Sequence, residues 1–393
     1  MGKNKKIGIV LSSVPAYSET FFRSKIKGLI SQGYDVKLFV DHTKVKSDLD
    51  YICGPKNRKN NILFHVFSVI IILLRLLLFS RNRLFSFIDL ERKDRRSWGM
   101  IIRNIFFSSH ILRYDLDWLH FGFITHALNK ENVAKAIGAN MAVSFRGYDI
   151  NIYPLKSPGC YDNIWNKVDK VHSISDHLYH KALKLGLSKD IPYMKITPAI
   201  NIKSFLYEDI KPTEEVLNIV TIARLSWIKG LEYALRSMSD LKRQGIRFRY
   251  FIVGTGPEEE RIKYAAFQLG LKDEVIFSGK KKHDEVAEIL KSCDIYIQPS
   301  VDEGFCNAML EAQAAGCLCI ATDAGGLKEN IVDNKTGWLV PKRDTKALAD
   351  KIREVHQLDE KEKERVRKNA IERIRRDFSL QQQIEKFVAF YSN

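Results

Sequence analysis

Four side chains in the second half of this 393-residue chain stand where polar chemistry could be carried: Arg224, Lys229, Glu303 and Glu311. The two cations lie in the turn Ala223-Arg224-Leu225-Ser226-Trp227-Ile228-Lys229-Gly230, after the apolar run LNIVTIA. Open α/β sheets bind ligands outside the carboxyl ends of their strands, so a cation pair there suits an anion. Each cation taken alone reads equally as an ordinary surface residue. Glu303 and Glu311, with seven residues between them, fall within residues 299–329, PSVDEGFCNAMLEAQAAGCLCIATDAGGLKE. Glu303 belongs to a loop after IYIQ. Glu311 belongs to the first turns of a helix that Asn307 is placed to cap. The amides of Phe305, Cys306 and Asn307, following Gly304, would then head that helix. Such an end offers free N–H groups and roughly half a positive charge, which suits a phosphate. A carboxylate one turn inside can accept two ribose hydroxyls. The glutamate spacing alone reads equally as an acidic loop and helix of no special role.

A third stretch, Gly254-Thr255-Gly256-Pro257, follows the run FRYFIV. A lone G-x-G marks a tight turn, and Pro257 suits a first helical position. Neither a full G-x-G-x-x-G nor a Walker lysine is present, so a dinucleotide or ATP site is not supported.

These segments need a frame to hold them. Residues 5–11 and 35–40 read as strands with a helix over 24–32 between them, a βαβ opening. Further strands are expected at 118–121, 141–145 and 171–175. A linker is expected over 196–216, with Pro198, Pro212 and the polar run KPTEE. The alternation then restarts, with strands at 217–223, 248–254, 275–277, 295–298, 318–321 and 338–340, helices over 230–244 and 258–269, and a charged helical close. Two βα-repeating halves imply two doubly wound parallel-sheet domains with ligands at strand ends, in a cleft between domains.

The formal net charge of +16 is unevenly spread. Residues 1–205 carry 32 Lys and Arg against 16 Asp and Glu, and residues 206–393 carry 31 of each. The basic half points to an anionic partner: nucleic acid, anionic lipid or a phosphorylated substrate. The six cysteines form no C-x-x-C pair and have no His cluster, which argues against a zinc site or disulfide framework and for a reducing cytosol. Residues 62–79, ILFHVFSVIIILLRLLLF, have the length of a spanning helix but contain His65 and Arg75. Lys56, Arg58 and Lys59 precede the segment, and Arg81 and Arg83 follow it. A buried or domain-capping helix, a helix in the interface of an anionic leaflet, and a span are the readings open here. The apolar run at 7–11 is strand-length, so no secretory signal is expected.

Taken together, the three stretches resemble glycosyltransferase family 4, the retaining nucleotide-sugar enzymes of GT-B fold. The resemblance rests on Glu303 and Glu311, the alanine-rich helix through Ala312–Ala315, Gly325-Gly326 with Glu329, and the R-L-x-x-x-K-G turn with Arg224 and Lys229. It is close over residues 217–345. The N-terminal half matches more loosely, through Ser18-Glu19-Thr20-Phe21, similar to the opening loop of the polysaccharide-building, colanic-acid-type branch. His120-Phe121-Gly122 and Ser144-Phe145-Arg146-Gly147-Tyr148-Asp149 also resemble family positions. Many members carry histidine before the glycine of that last motif, where this chain has Arg146. Binding of a donor phosphate or an anionic sugar, or a structural salt bridge, are the roles open to it.

The resemblance implies an acceptor domain over 1–205, a donor domain over 206–375 and a final segment, 376–393, whose helix at 378–391 crosses back to the first domain. It implies transfer of a hexose-type sugar from a nucleoside-diphosphate sugar, uridine or guanosine in type, to a saccharide or lipid-linked saccharide acceptor. Arg224, Lys229 and Glu303 are the expected catalytic residues. Gly254, Gly304, Phe305, Cys306, Asn307 and Glu311 are expected at the donor, and Ser18, Glu19, Thr20, His120, Arg146 and Asp149 on the acceptor or sugar side. No metal, other cofactor or nucleic acid is expected. The expected place is the cytoplasm, with peripheral contact at the inner face of a membrane. A nucleotide-sugar epimerase of related architecture is the alternative enzyme, and a basic nucleic-acid-binding protein the alternative from another class.

Overall fold

Apolar runs four to six residues long, bounded by polar turns, become parallel strands in two separate sheets of this computed structural model. The structure describes residues 5–15, 20–41, 47–56, 62–206 and 216–392. The chain divides into two units: Met1–Ile196 with Ile384–Asn393, and Thr197–Gln383.

The first unit holds β1 (Lys6–Leu11), β2 (Asp35–Val40), β3 (Tyr51–Cys53), β4 (Trp118–Phe121), β5 (Asn140–Phe145), β6 (Lys170–Ser173) and β7 (Tyr193–Lys195) in the order β3-β2-β1-β4-β5-β6-β7. The second holds β8 (Leu217–Ile222), β9 (Phe248–Val253), β10 (Val275–Gly279), β11 (Ile295–Gln298), β12 (Leu318–Thr322) and β13 (Trp338–Val340) in the order β10-β9-β8-β11-β12-β13. All of these pairings are parallel. Parallel strands are covered on both faces, which is why β8 (LNIVTI) and β12 (LCIAT) read as mostly apolar runs, with Asn218, Thr221 and Thr322 their polar residues. In both sheets the strand order reverses beside the first strand of the unit. In the second unit that reversal lies between β8 and β11, registered through Ile219 opposite Ile295 and Val220 opposite Tyr296.

The second core is built on Ile219, Tyr250, Ile297 and Ile320, against Leu235 and Met238 of the helix Leu231–Arg243. That helix buries one stripe at helical spacing: Leu231, Ala234, Leu235, Met238 and Leu241. The first core joins Ile7, Ile9 and Leu38 to Phe22 of α1 (Thr20–Ser31) and to Phe387, Phe390 and Tyr391 near the end of the chain. The final helix runs Leu380–Ser392.

β3 and β7 were not among the expected strands. Each is three residues long and at a sheet edge, too short for a period to register. Within the expected linker, Ile202–Ser204 forms a single 3-10 turn, and residues 207–215 lie outside the described ones.

The segment at 62–79 is a helix, α2 (Ile62–Phe79), followed by α3 (Arg81–Lys93) and α4 (Trp98–Leu112). α2 and α3 meet at 116°, and no single helix among the described residues is long and apolar enough to cross a membrane. The reading of α2 as a buried helix is overturned. Among its described residues only Leu76 is buried, while Leu63 is 85% exposed and Phe79 81%. Hydropathy gave the helix its length but carried no information on what covers it. Arg58 and Lys59 lie outside the described residues.

Candidate functional site

The carboxyl ends of β8 and β11 flank the reversal point of the second sheet, the position where such sheets take ligands. The turn after β8 is tied down on both sides. The Leu225 amide donates to the Thr255 carbonyl (3.0 Å) and the Leu225 carbonyl accepts from the Glu258 amide (3.0 Å). On the other side, the Val301 amide donates to the Ile228 carbonyl at 2.8 Å. Gly230 adopts φ 64°, and a Cβ there would stand 2.0 Å from the Pro299 carbonyl oxygen, so only glycine lets the two segments approach this closely.

That approach brings Lys229 to Glu303. Nζ of Lys229 donates to Oε2 of Glu303 at 2.6 Å, with both side chains mostly buried. The same oxygen accepts from Ser300 Oγ at 3.1 Å. Ser300 is fixed in turn by Gln298 Nε2 (2.8 Å), and Gln298 Oε1 accepts from the Tyr296 hydroxyl at 2.6 Å. The carboxylate is therefore held by a run of buried side chains along β11, reaching the sheet interior. Burial pulls the Lys229 pKa down, but Glu303 and the neighbouring Cys306 outweigh it, so the ammonium's pKa is raised and the charge is kept. Arg224 acts on Lys229 in the opposite sense, which places a second positive charge nearby. Arg224 is exposed and makes no ion pair with the described residues.

Glu311 sits in the second turn of the helix Asn307–Ala314. Burial alone pushes its carboxyl up to about 7, and no described residue hydrogen-bonds to it. A poorly solvated carboxyl without a protein partner is suited to accept ligand hydroxyls. Arg224, Lys229 and Glu303 thus gather around one turn, and Glu311 lies on the helix that leads away from it.

Several expected donor contacts are corrected. Gly254 adopts φ 137°, and a Cβ on it would stand 1.9 Å from the Ala223 carbonyl oxygen. Its amide donates to the Gly279 carbonyl at 2.8 Å. The glycine therefore serves backbone packing and has no N–H left for a phosphate. Gly256 does likewise against the Leu225 carbonyl, at 2.2 Å. Asn307 is not a cap: Cys306 is the N-cap residue, and Asn307 is the first, exposed, helical residue. The Cys306 amide is already used, donating to Asn330 Oδ1 (3.0 Å), while Asn330 Nδ2 donates back to the Cys306 carbonyl (2.9 Å). Burial, then Glu303, pushes the Cys306 thiol up to about 11, so it is no nucleophile at neutral pH. The Phe305 ring is buried against Phe378 at 5.8 Å. The amides of Gly304, Phe305 and Asn307 donate to no described residue. Gly326 holds the loop by donating to the Glu303 carbonyl at 2.8 Å. Asn330, which fixes the helix start, had no sequence signal beyond its place after the glycine pair. A cavity of about 210 Å³ borders the turn at Ser226, Trp227, Gly230 and Val301, but none of the four charged residues lines it.

The N-terminal expectations fare differently. Ser18 and Glu19 lie outside the described residues, and Thr20 is described only as the first residue of α1. His120 is corrected: it is fully buried, with Nδ1 2.5 Å from the Tyr391 hydroxyl and 3.2 Å from Lys25 Nζ, and Nε2 2.7 Å from Ser144 Oγ. Ser144 Oγ continues to His172 Nδ1 at 2.8 Å, and His172 Nε2 meets the Ile196 carbonyl at 3.0 Å. Burial first, then the neighbouring cations, lowers the pKa of both histidines well below the usual range. Asp149 is corrected too: it is buried, and its carboxylate accepts from the backbone amides of Arg146 (3.0 and 3.2 Å) and Gly147 (2.8 Å). It shapes that turn and has no face toward a sugar. The Arg146 guanidinium lies 3.7 Å from the Phe21 ring centroid and 4.1 Å from that of Phe22, and its Nε donates to the Gly122 carbonyl at 3.1 Å. An aromatic stack thus contributes to holding it, beside the roles expected from the sequence. Lys25, His172 and Tyr391 were missed as members of this network, and Ser144 was named only within its motif. The available signal was polar residues inside otherwise apolar strands, as in NMAVSF and KVHS.

Residues 206–373 match the family model described as glycosyl transferases group 1. The chain is similar to the putative colanic acid biosynthesis glycosyltransferase WcaL of Escherichia coli (strain K12), 28% identical over 96% of this chain and 97% of that protein. It is 26% identical to the amylovoran biosynthesis glycosyltransferase AmsK of Erwinia amylovora, over 88% of this chain and 89% of that one. In fold it is similar to Anabaena HepE, solved with UDP and glucose, with TM-score 0.71 and 13% identity over 99% of this chain and all of that one.

Proposed function

This chain is a glycosyltransferase with a group 1 domain at residues 206–373 and the two parallel-sheet units of the GT-B fold, and from that premise we propose what it transfers. The reaction is transfer of a hexose-type sugar, with retention of configuration, from a nucleoside-diphosphate sugar to a saccharide acceptor carried on a lipid. Its setting is the building of a bacterial surface polysaccharide. The names of the relatives that span nine-tenths of the chain support that setting. Those relatives are glycosyltransferases, which leaves the epimerase and nucleic-acid alternatives without support.

The observation that carries the proposal is the ion pair of Lys229 with Glu303 at the end of β8 and β11, with Arg224 beside it. In the reaction the bond between the anomeric carbon and the diphosphate oxygen breaks, and its electron pair stays on the diphosphate. The acceptor oxygen bonds that carbon from the same face, and its proton passes to the departing diphosphate. Arg224 and Lys229 stabilise the charge that builds there, the class of effect worth about 3–4 kcal/mol per preorganised donor. The unengaged amides of Gly304, Phe305 and Asn307 add the field of a helix start. Glu303 keeps Lys229 aimed and turns its other oxygen to sugar hydroxyls, while Glu311 grips the ribose. The first unit takes the acceptor, and its basic charge and the uncovered α2 bring the protein to an anionic membrane surface. The proposal gives charge compensation to these residues and assigns it to no metal.

A panel of uridine and guanosine diphosphate sugars, scored by thermal shift and by donor hydrolysis, tests the proposal. Stabilisation and turnover by one donor class are expected. No response to any of them would overturn the donor assignment. Loss of less than about tenfold in kcat for both Lys229→Ala and Arg224→Ala would contradict the electrostatic role.

A further inference from the structure

Away from the donor residues, the first unit holds a second cavity, of about 190 Å³, where the end of β3 meets α2 and α4. Its lining includes Arg75 of α2, Ser109 and His110 of α4, Arg113 just past α4, and Cys53. Three features set it apart. First, neither Arg75 nor Arg113 makes an ion pair or hydrogen bond with any described residue. Both arginines line the cavity, and no carboxylate does. Second, His110 is 2% exposed, yet neither ring nitrogen makes a well-formed hydrogen bond with a described residue, the backbone of Phe107 one turn back giving only a weak contact. Its ring is packed between Phe39, at 5.9 Å, and Gly54, where an added Cβ would stand 3.1 Å from the ring. Buried polar groups without partners are uncommon in native proteins, and a ligand is one explanation. Third, the cavity adjoins a helix whose opposite, exposed side carries Leu63, Phe67, Ile70, Leu74 and Leu78 at helical spacing. An uncovered apolar stripe of this kind marks an interaction surface.

We propose that this cavity holds the phosphate of an anionic phospholipid, with the lipid's acyl region meeting the uncovered face of α2. Arg75 and Arg113 bracket the phosphate oxygens, and the His110 ring supplies a further hydrogen bond. The carbonyl end of α4 lies close by and opposes an anion with about half a charge, against two whole charges in favour. An anion that also carries an acyl region meets both the cationic cavity and the apolar stripe, which a free anion does not. The inference rests on the membrane-facing reading of the first unit and is independent of the donor assignment.

The test measures binding of the full chain to phosphatidylcholine vesicles with and without phosphatidic acid. The double variant Arg75→Gln/Arg113→Gln is expected to lose about tenfold or more in affinity for the phosphatidic acid vesicles. Arg81→Gln/Arg103→Gln removes the same charge from exposed positions outside the cavity and is expected to lose about threefold or less. Thermal denaturation and donor hydrolysis, unchanged in both, confirm that the variants are folded. Equal losses in the two doubles would mean diffuse attraction and would overturn the cavity site while leaving membrane contact standing. No vesicle binding by the unaltered chain would overturn both. Stabilisation by inorganic phosphate that depends on Arg75 and Arg113, without vesicle binding, would place a free anion there and overturn the lipid assignment.

Discussion

The two sheets share one strand order up to the reversal point, and at that point they treat polar side chains in opposite ways. Beyond β8 and β11, Arg224 is exposed, Glu311 has no partner, and Lys229 is matched to a single carboxylate. Around β4, β5 and β6, the polar groups of His120, Ser144 and His172 are turned inward and satisfy one another. Topology offers a site at both places. Local chemistry leaves groups available for a ligand in the second sheet and uses them up inside the first. A polar residue at a strand end is therefore informative only once its partners are known.

Three experiments would break or sharpen this contrast. The largest effect is expected from Lys229→Ala, with kcat reduced about 10²–10³-fold, measured with the donor found in the panel well below a melting temperature that falls as Glu303 loses its buried partner. Next, His120→Ala should act on stability, lowering it by about 1–3 kcal/mol in denaturant unfolding as Ser144 and Tyr391 lose a buried partner. Turnover well below the melting temperature should stay within about twofold. A large loss of turnover with unchanged stability would put His120 at the substrate and erase the difference between the sheets.

The smallest effect concerns Glu311. Its folded pKa of about 7 lies above the ordinary 4.5. Stability from the neutral form is thus full below about 4.5 and is lost as pH rises toward 7. Glu311→Gln should accordingly raise the melting temperature more at pH 8 than at pH 4. Donor affinity should behave in the opposite sense. In the unaltered chain it should weaken by up to about tenfold per pH unit below 7, as the accepting carboxylate is protonated, and this slope should flatten in the variant. A slope that survives Glu311→Gln would assign the titration to another group.

Most of the fold was legible because buried parallel strands are apolar runs and the turns between them are polar. Arg224, Lys229, Glu303 and Glu311 could be singled out because they follow such runs directly. The glycine pair at 254 and 256 was legible as a turn but not as a backbone contact, since that depends on the carbonyls of Ala223 and Leu225 coming from another segment. The same limit hid Asn330, whose partner Cys306 is 24 residues away. His120 misled because a histidine at a strand end looks alike whether its nitrogens face solvent or Ser144 and Tyr391. The helix at 62–79 was plain from hydropathy, but its lack of cover was not, because cover is a property of the neighbours.

The place of Ile384–Asn393 in the first unit has a consequence for how the protein is made. Phe387, Phe390 and Tyr391 complete a core whose other members begin at Ile7. On the ribosome, the amino-terminal sheet must wait for the intervening chain, roughly 10–40 s at about 5–20 residues per second. Until that closing segment emerges, the sheet's apolar face stays open, a window in which chaperones would matter most. A stop before Phe387 would leave the nascent first unit permanently unfinished.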